Sequence, residues 1–139
     1  MVAILERSCP YTASSKPHSR SASTKACSTG FCRKRHCNER DGITEALICC
    51  ANRYLQWLEG TEPSVRATYG HIEQDSRHVN VRCLVGGPSV QRLFPDWALQ
   101  DGPARSWLWS SAEVVGGSIE RAARADLIRI FERVAEAPA

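Results

Sequence analysis

Hydrophobic and polar positions along the chain follow two periods, broken by one long stretch that follows neither. Val2 to Arg7 reads as a short opening strand. Thr44 to Ala51 is a near-continuous apolar run, the pattern of a strand buried on both faces. Asn52-Arg53 predicts a tight turn, with Tyr54 to Glu59 as the returning arm of a hairpin. On that arm Gln56 shares a face with Tyr54 and Leu58, and Trp57 points to the other side. Gly60-Thr61 ends the strand, with Thr61 as helix cap and Pro63 in the first turn. Val65, Tyr69 and Ile72 fall at i, i+4 and i+7 of a helix that ends near Asp75. Val79, Val81, Cys83 and Val85 alternate as a fourth strand up to Gly86-Gly87-Pro88, and Leu93 to Leu99 predicts a fifth. Ile119, Ala123, Leu127, Ile130 and Val134 then mark one C-terminal helix capped by Ser118.

The exceptional stretch is Ser8 to Cys37, which holds no Leu, Ile, Val, Met or Trp. Tyr11 and Phe31 stand there among seven Ser, three Thr, two Pro and six Lys or Arg. Neither a helical stripe nor an alternating strand face can be drawn on it, and ordering it would go largely uncompensated. We expect it to be mostly disordered or loosely attached. With a helix in its place the element order is βαββαββ, an α+β ferredoxin-like sandwich followed by a C-terminal helical extension. Residues 1–101 form the expected domain, with 8–37 atypical, and 102–139 the extension.

Composition changes this picture little, and charge changes it once. At 139 residues the chain is long enough for one core, and its 42% hydrophobic and 24% charged content is ordinary for a globular protein. The net charge of +3 belongs to the exceptional stretch, which carries no Asp or Glu; the rest has 12 basic against 15 acidic residues, a net of −3. A nucleic-acid surface on the folded part is therefore not expected. The longest apolar run, Ala46 to Ala51, is far short of a bilayer span, and no secretory segment opens the chain, so a cytoplasmic protein is expected. Seven cysteines without such a segment fit free thiols. Cys27, Cys32 and Cys37 recur every fifth residue near His18 and His36 but lack the tight paired spacing of a zinc site, so no metal is expected.

Gly42-Ile43-Thr44, Tyr54-Leu55-Gln56-Trp57-Leu58-Glu59-Gly60, Asp75-Ser76-Arg77-His78 and Phe94-Pro95-Asp96-Trp97 together resemble the BLUF family, blue-light sensors using FAD. The resemblance runs from about Asn38 to Leu99, with Gln-x-Leu-Glu-Gly as its most specific part, and Met1 to Ser8 resembles the family's opening strand. It implies FAD held between two helices on one face of the sheet. It also implies that Gln56 is the photoactive amide, a group with both a donor and an acceptor to exchange against the flavin ring. By the same resemblance Asn38 bonds the ring, and Arg77 and His78 lie near the ring and its phosphate-ribose side. Trp97 and Leu99 stand for the fifth-strand tryptophan and the methionine after it.

Four departures accompany the resemblance: the stretch 8–37 where the family's first helix belongs, Leu99 in place of the methionine, Glu6 and Glu45. Aligned on the first strand, Glu6 occupies the place of the family's photochemical tyrosine, and a carboxylate cannot replace a phenol as electron and proton donor. Tyr11 lies five residues on, across Pro10 and with the opposite strand parity. Glu45 stands where a glycine is usual. The expected function is a non-enzymatic blue-light photoreceptor domain, photochemically impaired, that signals through a separate protein partner and self-associates. The alternative is a flavin-free remnant serving as an oligomerisation or interaction module through Trp107, Trp109 and the C-terminal helix.

Overall fold

The computed structural model describes residues 1–8, 38–50, 53–95, 100–102 and 109–137. Four antiparallel strands form the body of the sheet: β1 (Val2–Ser8), β2 (Thr44–Cys50), β3 (Arg53–Glu59) and β4 (Val79–Gly87). A short β5 (Gln100–Gly102) pairs parallel to β2, giving the order β4-β1-β3-β2-β5. Helix α1 (Glu62–Gln74) connects β3 to β4. Three helices close the chain: α2 (Ser111–Val115), α3 (Ser118–Arg121) and α4 (Arg124–Glu136). This is the expected α+β ferredoxin-like arrangement with helices at its C-terminal end.

Two apolar clusters sit on opposite faces of the sheet, as period-two alternation requires. On one face Ala3, Leu5, Ile43 and Leu58 pack with Val65 and Ile72 of α1. On the other, Val2, Ile4, Ala46, Ile48, Leu55, Trp57 and Val85 meet Val114, Ile119, Leu127, Phe131 and Val134 of the C-terminal helices. The Trp57 ring lies 5.2 Å from that of Phe131 and 6.4 Å from that of Phe94, edge-on to the latter. The extension therefore shares its core with the sheet. Thr61 caps α1 as expected, its hydroxyl accepting from the Ser64 N–H at 3.3 Å.

Three local expectations need correction. Arg53 is the first residue of β3, paired with Cys50, and is not in the turn; residues 51 and 52 lie outside the described part. Leu93 to Pro95 are bends and a turn, with 96–99 outside the described residues and the strand itself at Gln100–Gly102. The cause is Glu59: its buried carboxylate takes the N–H groups of Leu93 and Phe94 at 2.7 and 3.0 Å, so they are withdrawn from any ladder, and Pro95 has none to give. The fourth strand forms where expected, with only Val85 buried and Val79 exposed, since it is an edge strand with Asn80 at φ +54° and a shifting register.

The single C-terminal helix is the third. Ser118 lies inside α3, whose cap is Gly117 at φ +83°, and the backbone turns extended at Ala122 and Ala123. That break resets the helical phase, so Phe131 takes the core position and Ile130 only flanks it. Ser110, absent from the sequence reading, caps α2 through a reciprocal box with Glu113.

Candidate functional site

Gln56 sits at the centre of β3, opposite Leu5 of β1 and Leu47 of β2. It is 2% exposed, an unusual place for an amide. The residues that pair across the sheet share its face, so Gln56 looks to the α1 side together with Glu45, which pairs with Leu58. Glu45 is equally buried, and its Oε2 accepts a hydrogen bond from Gln56 Nε2. Gln56 Oε1 is buried with no hydrogen-bond partner among the described residues. A buried polar atom left unpaired costs on the order of 1 to 3 kcal/mol, so an acceptor in this position calls for a hydrogen-bond donor from outside the described residues.

The other sequence-selected residues lie along the sheet on either side of this amide. Ser8 pairs with both Arg53 and Val79, so the end of β3 nearest Gln56's hairpin turn is also the end where Arg77 and His78 precede β4. Arg77 is exposed and braced by Asp75, with Nη2 to Oδ2 at 2.6 Å and its backbone N–H to Oδ1 at 3.0 Å. Those hydrogen bonds from Arg77 hold the Asp75 carboxyl well below the usual carboxylate range and raise the guanidinium above its own. His78 is half-buried, its Nε2 3.8 Å from Asp75 Oδ2. Asn38 belongs to the opposite end: it is buried in a helical turn over 38–40, and its carbonyl accepts from the Ile43 N–H at 2.8 Å. No hydrogen bond in the described structure joins Gln56 to Asn38 or Arg77. Trp97 and Leu99 lie outside the described residues, as do Tyr11, Trp107, the Cys27, Cys32 and Cys37 series and the stretch 9–37.

Glu6 is not brought to this site. It pairs with Leu55, so its side chain enters the face of Trp57 and the C-terminal helices, opposite Gln56. There it is fully buried and bound by Arg53 and by Arg82, the latter at 2.5 Å. Both arginines also reach Glu120 of α3, at 3.2 and 3.6 Å. The alignment that set Glu6 at the place of the photochemical tyrosine thus does not bring it to Gln56: strand parity decides its face, and Leu5 is the β1 residue across from Gln56.

The Glu45–Gln56 contact is the feature that sequence reading missed. Its signal was available, since Glu45 and Leu58 share a face once β2 and β3 pair, but only the register turns an odd residue into a neighbour.

The family model for BLUF, sensors of blue-light using FAD, matches residues 10–100. No curated protein matches the chain by sequence. Among solved structures, the dark state of the BLUF protein BlrB superposes with a TM-score of 0.68 at 20% identity, over 97% of this chain and 94% of that one. BlsA in its ground state gives 0.78 at 16%, over 99% and 88%. A bacterial light-regulated adenylyl cyclase gives 0.62 at 22%, over 97% of this chain and 35% of the cyclase, so the chain spans about a third of that protein's length. At such identities these structures share the fold.

Proposed function

The chain belongs to the BLUF family, and on that premise we propose that it is a blue-light photoreceptor domain that holds FAD against the Gln56 face of the sheet and signals through a separate protein. Gln56 carries this reading: a fully buried amide with one hydrogen bond made and a carbonyl oxygen left for a ligand. The apolar strand face around the amide fits the flat body of a flavin ring, while the free Oε1 is an acceptor and would pair only with an N–H of the ring. Leu5, Leu47 and Leu58 would lie under that body, and Asn38 would reach the ring from the other end of the sheet. Arg77, exposed and held by Asp75, would meet the phosphate-ribose side, with His78 beside it. When bound, the flavin supplies light absorption and electron acceptance. The protein's part is to orient the amide, exclude water and keep an apolar floor.

Residues 1–101 are read as this flavin module and 102–139 as the layer closing its other face. Signalling by contact or by a change in self-association then starts from that layer, in a cytoplasmic setting. The photocycle is read as impaired, because β1 carries no tyrosine and Glu6 faces away from Gln56. The test is the visible spectrum of the full chain reconstituted with FAD, beside Gln56→Leu. A bound flavin spectrum is expected in both, with at most a weak light-minus-dark shift in the wild type and none in the variant. A chain that stays colourless after reconstitution refutes flavin binding, and a shift of equal size in Gln56→Leu refutes the role of the amide.

A further inference from the structure

The Glu45 carboxylate is an unexpected group among the described residues: 2% exposed, in an inner strand, and bonded to Gln56, a buried polar side chain on its own face. A carboxylate only accepts hydrogen bonds, so the group that turns to it must be the amide NH2. The Gln56 carbonyl is thereby turned away, and Oε1 is the atom left unpaired among the described residues. We infer that Glu45 is a positioning residue that locks the Gln56 amide with its carbonyl toward the ligand, so that the site selects a hydrogen-bond donor and disfavours the acceptor edge of an oxidised flavin.

The inference rests on the reading of Gln56 as the flavin-facing amide. Its chemistry is simple. An oxidised flavin presents N5 and O4 as acceptors, and a carbonyl oxygen brought against them repels, whereas an NH2 group would bond. Turning the amide over would place Oε1 against the Glu45 carboxylate, acceptor against acceptor, between two buried side chains. Glu45 therefore opposes both tight FAD binding and the rearrangement of the amide. A charge-assisted hydrogen bond supports an effect on the order of ten- to hundredfold in either equilibrium. The residue acts through Gln56 and touches no reacting atom.

Two measurements on the full chain test it, with Glu45→Ala to remove the acceptor and Glu45→Gln to keep its shape without charge. The first is the side-chain amide signal of Gln56 in 15N-labelled, FAD-free protein, assigned by its loss in Gln56→Leu. One of the two amide protons is expected far downfield and slow to exchange in the wild type, less so in Glu45→Gln, and ordinary in Glu45→Ala. The second is the dissociation constant for FAD by fluorescence quenching, expected to fall roughly ten- to hundredfold in both variants. If Glu45→Ala does not fold, the intermediate value in Glu45→Gln decides. Identical Gln56 amide signals in wild type and Glu45→Gln overturn the inference, and so does a changed signal with unchanged FAD affinity. If the amide signal responds and no form binds FAD, the positioning by Glu45 stands while the proposed flavin function falls.

Discussion

Replacing Glu6 by Gln removes one charge from a fully buried position while keeping the side-chain volume. In the wild type its two oxygens face Arg53 and Arg82. Leaving a buried ion-pair partner uncompensated costs about 3 to 5 kcal/mol in closed interiors. Here the cost is smaller, because the arginine side chains are 26% and 50% exposed and can lean toward water. Glu120, 3.2 and 3.6 Å from the same guanidinium groups, also takes over part of the compensation. We therefore expect Glu6→Gln to lose about 2 to 3 kcal/mol, and Glu120→Gln, removing a carboxylate that is 32% exposed, to lose under about 1 kcal/mol. The double variant should lose more than the sum, since each carboxylate repels the other in the wild type and each becomes the sole partner when the other is gone. Urea unfolding followed by tryptophan emission measures all three. With a slope of about 1.5 to 2 kcal/mol per molar, the Glu6→Gln midpoint should fall by roughly 1 to 2 M at constant slope. A fall below about 0.3 M would refute the argument, because it would mean that Glu6 is not a buried, paired carboxylate.

Phe131→Ala should cost about 3 to 5 kcal/mol and shift tryptophan emission, since the ring fills the core beneath Trp57; equilibrium unfolding and emission spectra check both. Asp75→Asn should flatten the acid side of the stability curve. The folded carboxyl titrates below its ordinary value, so its contribution is present above about pH 4 and is lost as pH falls further; the two proteins should differ at neutral pH and converge in acid. Burial, and then the hydrogen bond with Glu73, push the Tyr69 phenol up to about 12, so Tyr69→Phe should remove a late-titrating tyrosine from an ultraviolet pH titration and leave the others in place. Glu6→Tyr should leave the light-minus-dark spectrum of FAD-loaded protein unchanged, because a phenol there enters the face of the C-terminal helices; a new reversible shift would show that β1 pairs in another register.

The fold was legible wherever one period ran for a strand or a helix. Val65 and Ile72 on α1, the hairpin of β2 and β3, and the separation of Gln56 from Trp57 all follow from periods of 3.6 and 2. What escaped was decided by groups distant in sequence. The N–H groups of Leu93 and Phe94 cannot be known to leave the sheet until Glu59 is known to lie beside them. The break at Ala122 and Ala123 has no glycine or proline to announce it. The site was legible as residue identities and not as neighbours: Gln56 could be named, but its contact with Glu45 and its separation from Glu6 depend on cross-strand register, which a single sequence does not carry.

Strand β3 is bonded along both edges, to β1 and to β2, over its whole length. Sliding it would break two ladders at once, so the soft coordinates near Gln56 are torsions of side chains and not translations of backbone. The next residue, Trp57, has its indole on the far side of the same peptide plane, between two aromatic rings, with its N–H unbonded among the described residues. One peptide unit is thus the full thickness of the wall between the amide and the helical layer. The consequence is that a displacement of the Gln56 backbone has one peptide unit to cross before it meets the aromatic packing of the helical layer.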